Sequence, residues 1–154
     1  MRRVRVTKEF SFEMAHALKH HDGACKNIHG HSYQLSVTVL GSPLDDKESP
    51  KQGMVLDFSV LKELVNEKII HRLDHALVLN KEDAGDLFTG PTPFYGKLVL
   101  VSFQPTCENL LLEFAENLRE CLPEKVMLVS MCLRETPTSY SEWFAKDNEA
   151  PGLA

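Results

Sequence analysis

The chain has no cysteine pair at metal or redox spacing, no long apolar run, no excess of positive charge and no internal repeat. Each absence removes a class of protein. The four cysteines, at 25, 107, 121 and 132, lie far apart. Neither a Cys-x-x-Cys zinc knuckle nor a disulfide framework is expected, and reduced thiols suit a cytoplasmic protein. No stretch of the chain approaches the roughly 20 apolar residues that a membrane span needs. The basic Met1-Arg-Arg start is not followed by an apolar segment, so no secretory leader is expected. A net charge of −5 argues against a general nucleic-acid binder, which needs a basic stripe. What is left is ordinary soluble composition, 43% hydrophobic and 25% charged over 154 residues, read as a single domain over 1–154 with a real core.

Histidine is the unusual abundance: seven in all, five of them within the first 31 residues. Their placement follows strand parity. Val4, Val6, Phe10, Phe12 and Met14 alternate with Arg5, Thr7, Glu9, Ser11 and Glu13, which predicts a half-buried strand over 4–16. Lys8 interrupts the apolar row, and His16 ends it on the inward parity. Residues 17–27 read as a loop. A second strand follows, with His29, His31, Tyr33, Leu35, Val37 and Val39 on one parity. A His-x-His pair in a strand puts both imidazoles on one face.

Residues 54–56 suggest a short strand. Asp57 or Ser59 can cap a helix carrying Phe58, Leu61, Leu64, Val65, Ile69 and Leu73 at helical spacing, ending near Leu73-Asp74-His75. Residues 80–105 read as loop-rich, with a short strand at 98–103. Thr106 caps a second helix with Leu111, Phe114, Ala115, Leu118 and Leu122 on its apolar face. A long strand over 125–135 ends its apolar row on Glu135, a last strand covers 140–144, and the tail from Lys146 reads as loose. The resulting order is β-β-α-α-β-β, an α+β class with antiparallel strands and two helices on one face.

His16, His29 and His31 thus converge from two neighbouring strands. Three neutral imidazoles with an open fourth position describe a catalytic zinc site. Cys25 precedes His29 in a loop. The usual fate of a cysteine is that of a small hydrophobe, but the neighbouring cation site favours a reactive thiolate. Cys107, Cys121 and Cys132 read as structural. Asp74-His75 is equally a helix end stabilised by the dipole and an Asp orienting a general base. Glu135, closing an inward row, is placed to hold an amidine-like ligand edge by paired hydrogen bonds. His20, His21 and His71 read as solvated. A cupin-type barrel would need a Glu shortly after His31, where Leu35 and Ser36 stand. An unrelated zinc hydratase would not need Cys25, Asp74-His75 or Glu135. A non-catalytic binding protein would not keep the full set of acid-base residues.

Several motifs in order resemble the 6-pyruvoyltetrahydropterin synthase and 6-carboxytetrahydropterin synthase family. They are Phe10-Ser-Phe-Glu-Met-Ala-His16, Cys25-x-x-x-His29-Gly-His31-Ser-Tyr33, Asp57-Phe58, Leu73-Asp-His75-x-x-x-Leu79-Asn80, Pro105-Thr-Cys-Glu-Asn109 and Arg134-Glu135-Thr136. The resemblance implies the tunnelling fold, with subunits joined into trimers and two trimers stacked as a hexamer. It implies zinc on His16, His29 and His31, Cys25 as the proton-abstracting thiolate, and Asp74 with His75 as a proton relay supplied by a neighbouring subunit. It also implies that Glu135, helped by Thr106, anchors the pterin. The implied substrate is 7,8-dihydroneopterin triphosphate. Within the family, the animal-type branch resembles Cys-x5-His-Gly-His. The bacterial carboxy branch resembles Cys-x3-His-Gly-His, as here, which implies release of acetaldehyde and triphosphate to leave 6-carboxy-5,6,7,8-tetrahydropterin for queuosine synthesis. A third branch replaces the Cys with Glu. The segment 81–104 is longer than in many bacterial members.

Overall fold

The two alternating runs become the two longest strands, β1 (Val4–His16) and β2 (His29–Gly41), in a computed structural model that describes residues 2–85 and 96–148. They pair antiparallel over their full length, from Val4 opposite Gly41 to His16 opposite His29. The inward parity forms the core: Phe12, Met14, Tyr33, Leu35, Val37 and Val39 are buried. Lys8 sits on that parity with its ammonium over the rings of Phe10 and Phe58, so its stem stays with the apolar row while its charge reaches the rim.

Four further strands complete a sheet of six: β3 (Ala76–Asn80), β4 (Leu98–Val101), β5 (Met127–Thr136) and β6 (Ser139–Phe144), in the order β4-β3-β1-β2-β5-β6. The half β1-β2-β5-β6 is antiparallel, as the alternation predicts. The other half differs from expectation: β3 runs parallel to β1, and β4 parallel to β3. β3 itself is absent from the sequence reading. All five of its residues are buried, so Ala76-Leu-Val-Leu-Asn80 shows no alternation, the mark of a strand covered on both faces. Residues 54–56 form no strand. Gly53 N–H and Leu44 N–H exchange bonds with Leu44 and Met54 carbonyls, which closes a turn at Gly53 (φ 81°) instead of a ladder. Val55 then folds back on Gly41, where any Cβ would lie 2.6 Å from Val55 Cγ1.

Both helices pack on one face. The first runs Phe58–Val65, widens through a π turn at Asn66–Ile70 and closes with one α turn at His71–Leu73. Asp57 is its N-cap, accepting from Ser59 N–H at 2.9 Å. Leu61, Val65, Ile69 and Leu73 are fully buried, whereas Phe58 is exposed. The second helix runs Cys107–Arg119 with Thr106 as N-cap, its hydroxyl accepting from Asn109 N–H. Phe114 meets Phe12 edge-on, and Phe12 stacks on Tyr33 at 5.2 Å. Each buried Leu or Phe in this layer contributes about 1.5–3 kcal/mol of transfer free energy. Arg72 and Glu113 link the two helices. After β6, Ala145–Asp147 makes one further turn where a loose tail is expected from Lys146; residues 149–154 lie outside the described residues.

Candidate active site

The strand register places the histidines. His16 stands directly opposite His29, and His31 is two residues further along the same strand. Opposite pairs bring side chains to within about 5 Å. Ring centroids are 4.6 Å apart for His16–His29, 5.2 Å for His16–His31 and 4.9 Å for His29–His31. One ligand atom from each lies within 4.8 Å of the others.

Second partners set the tautomers. His16 Nδ1 donates to the Pro105 carbonyl at 2.7 Å, and His29 Nδ1 to the Asn27 carbonyl at 2.8 Å. Each Nε2 is then left with its lone pair free, the arrangement that orients metal-ligating imidazoles. His16 is 2% exposed, and its Nε2 has no hydrogen-bond partner among the described residues. Burial above all holds its pKa below the usual histidine value, against the Pro105 bond and the Glu135 charge, which act the other way. A neutral, buried imidazole with an orphaned Nε2 fits a metal ion, and His16, His29 and His31 can hold one.

Glu135, at the end of β5, comes to the rim of this cluster. Its Oε1 lies 3.6 Å from His16 Nε2 and 3.7 Å from His31 Nε2. Tyr33 donates to the same oxygen at 2.9 Å. Tyr33 is fully buried, and burial, then the Glu135 charge and bond, push its phenol far above its ordinary value, with Cys107 and Cys25 adding smaller effects. It therefore remains a donor. A cleft of about 610 Å³ opens beside Glu135, lined also by His31, Ser32, Arg134 and Thr136.

The remaining residues form separate groups. Cys25 is a free, half-buried thiol in the short turn Ala24–Lys26, and its carbonyl accepts from Leu18 N–H at 2.9 Å. Asp74 and His75 form a pair of their own, Oδ2 to Nδ1 at 3.0 Å. Helical geometry stops before them. Asp74 is extended, and His75 takes φ 59°, a left-handed backbone uncommon outside glycine. The strain is held by β1: Glu13 N–H donates to Asp74 Oδ1 at 2.9 Å, and His75 N–H donates to Glu13 carbonyl at 2.6 Å. The Glu13 N–H, with His75 beside it, holds the Asp74 carboxyl below the usual range. Among the described residues, neither Asp74 nor His75 bonds to the histidine cluster. His75 lines a cleft of about 420 Å³ with Glu13, Gly30, His31, Ser32 and Lys97. Thr106 spends its hydroxyl on the helix cap, one residue from the carbonyl that holds His16.

Sequence reasoning missed the supports: Tyr33 on Glu135, Pro105 on His16, Asn27 on His29 and Glu13 on Asp74-His75. Only Tyr33 left a signal, a polar ring inside an apolar parity row. The other three act through backbone atoms, which carry no sequence signature. His20, read as solvated, is exposed but pairs with Asp83 at 3.2 Å.

Fold and site define an α+β subunit with a three-imidazole, metal-competent centre built across two paired strands. The sequence pattern of the 6-pyruvoyl tetrahydropterin synthase family matches residues 5–146. The 6-carboxy-5,6,7,8-tetrahydropterin synthase of Haemophilus influenzae is 37% identical over 141 residues, covering 90% of this chain and 97% of the relative. The Bacillus subtilis protein of the same name is 33% identical over 139 residues, covering 88% and 81%. The structure of Caenorhabditis elegans 6-pyruvoyl tetrahydropterin synthase superposes with a TM-score of 0.64 at 24% identity, over 94% of this chain and 97% of that one, a likeness of fold. The chain belongs to the 6-pyruvoyl tetrahydropterin synthase family and is an enzyme of its lyase class. No helix among the described residues is long and apolar enough to cross a membrane.

Proposed function

We propose that the protein is a zinc-dependent lyase that converts 7,8-dihydroneopterin triphosphate to 6-carboxy-5,6,7,8-tetrahydropterin, releasing acetaldehyde and triphosphate, in cytoplasmic queuosine (7-deazapurine) synthesis. The observation that carries this reading is the convergence of His16, His29 and His31, one ligand atom from each within 4.8 Å of the others, in a chain that spaces its thiol as Cys25-x-x-x-His29-Gly-His31. The names of the curated relatives support the carboxy product.

His16, His29 and His31 would hold the zinc. When bound, the ion supplies Lewis-acid polarisation of a side-chain oxygen, which acidifies the adjacent C–H. Cys25 takes that proton as thiolate. His75, oriented by Asp74, supplies or accepts the second proton. Glu135 takes the guanidine-like edge of the pterin through its two oxygens, while Tyr33 fixes the carboxylate's direction. Thr106 assists from the start of the second helix. The exposure of His75, and the absence of any bond from it to the cluster among the described residues, support a site completed by a neighbouring subunit. A homohexamer of two stacked trimers would supply that neighbour and cover the outer strands β4 and β6, each paired on one side only among the described residues.

Incubating zinc-loaded protein with the triphosphate and identifying the products tests the reading. Acetaldehyde with the 6-carboxy product supports it. A 6-pyruvoyl product would move the protein to the other branch, and absence of turnover would leave a pterin-binding role.

A further inference from the structure

A carboxylate outside this site links two of its parts. Asp83, in the turn after β3, is 7% exposed, unusual burial for an aspartate. Both of its oxygens are engaged. Oδ1 lies 3.2 Å from His20 Nε2, and Oδ2 accepts from Gln104 Nε2 at 2.7 Å. The two partners belong to segments that carry proposed site residues. His20 lies in the loop between β1 and β2 that carries Cys25, a loop closed on itself by the Leu18 N–H to Cys25 carbonyl bond. The Gln104 carbonyl accepts from Thr106 N–H at 2.7 Å and from Asn109 Nδ2 at 3.0 Å. The next carbonyl, of Pro105, receives His16 Nδ1.

Apolar packing supports the same junction. Ala17, at the loop's start, and Ala84, beside Asp83, share a small buried cluster with Leu77 and Leu79. The Asp83 backbone is itself held to β3, its N–H donating to Asn80 carbonyl at 3.0 Å. The bland alternative is a surface ion pair, worth about 0–1 kcal/mol. His20 alone would fit that description, since its side chain is 77% exposed. Asp83 does not: a buried carboxylate without its partners is costly, so its position follows theirs.

We propose that Asp83 is a positioning residue. Through His20 on one side and Gln104 on the other, it sets the distance between the Cys25 thiol and the His16–Thr106 wall of the site. This rests on the reading of Cys25 as the proton-abstracting group. A displacement of about 1 Å at such a group can cost up to about 100-fold in rate, so a modest loosening suffices for a measurable effect.

The test uses the full zinc-loaded chain and the variants Asp83→Ala, His20→Ala and His20→Gln. The readouts are kcat, KM, bound zinc and the rate of Cys25 alkylation by iodoacetamide, resolved by peptide mass spectrometry. Asp83→Ala is expected to lower kcat about tenfold with KM and zinc content little changed, and to change the Cys25 alkylation rate severalfold. His20→Ala should shift both readouts in the same direction by about threefold, and His20→Gln, which keeps a donor for Asp83, should recover at least half of that shift. Should Asp83→Ala fail to fold, the exposed His20 pair carries the test. Wild-type kcat and alkylation in His20→Ala would overturn the proposal. So would a His20→Gln variant no better than His20→Ala, or a fall in kcat that follows zinc loss. Alkylation is read without any pterin, so absence of turnover by the wild type would count against the proposed reaction and leave the tether to be decided by the thiol.

Discussion

The two histidine groups of this subunit are built in opposite ways. His16, His29 and His31 are side chains on regular strands, brought together by β-register and oriented by carbonyls of Pro105 and Asn27. Asp74 and His75 sit where regular structure stops, held in a strained backbone by Glu13 and exposed to solvent. The first group is complete within one chain as a set of ligands. The second is held by the β1 backbone and, among the described residues, makes no bond to the histidine cluster. The three imidazoles of the proposed metal site thus come together within one chain, whereas the proposed Asp74-His75 relay needs a partner from outside it.

The largest expected effect is on the first group. His29→Ala removes one of three ligands, and bound zinc should fall from one per chain to near none, read by metal analysis of dialysed protein, with activity abolished. Full zinc retention would break the assignment. Cys25→Ala should keep the zinc and lower kcat by about 10²–10⁴-fold, the usual range for a lost acid-base group. Loss of metal with the thiol would make Cys25 a ligand instead. His75→Ala should also keep zinc and cost about 10²-fold in kcat. Mixed oligomers of Cys25→Ala and His75→Ala subunits should regain activity, and no recovery in verified mixtures would place both groups in one subunit's site.

Smaller effects sharpen how dry the first group is. Tyr33→Phe removes one neutral donor from Glu135, a loss of about 1 kcal/mol, so KM for the pterin should rise about fivefold with zinc unchanged. An unchanged KM would mean that Tyr33 only packs. The metal-free protein should also be acid-sensitive through His16. Its folded pKa lies below the ordinary value of 6.5, so the unfolded chain binds the proton more readily. Stability is then fully present above 6.5 and declines as the pH falls from there towards the lowered folded value. Urea titrations of metal-free protein between neutral and mildly acidic pH should show that decline, and zinc should deepen it by competing with protons for the same Nε2.

Much of the fold was legible because its strongest signals are local. The alternation in β1 and β2, the caps at Asp57 and Thr106 and the apolar faces of both helices all repeat within a few residues. β3 was not legible: a strand buried on both faces has no alternation, and five apolar or small residues do not distinguish strand from helix end. Its parallel pairing depends on β1, about sixty residues earlier, and no local pattern encodes that. In the site, parity was enough to gather the three histidines. Parity also put Glu135 on the inward row, but not beside His16 and His31, because that proximity depends on β5 pairing with β2 in one register.

The types and faces of the candidate site residues are written in the chain alone: imidazoles on inward parities, a thiol four residues before His29, a carboxylate closing an apolar row. Those follow from the fixed two-residue period of a strand and from chain spacing. That His16 faces His29, that the Pro105 and Asn27 carbonyls orient these two rings, that Tyr33 bonds Glu135 and that Asp83 meets both His20 and Gln104 is visible only in the folded chain. Each of these is a meeting of distant segments. It is set by the packing of two helices on one sheet and by the register of strands, which the whole core chooses and no single stretch contains.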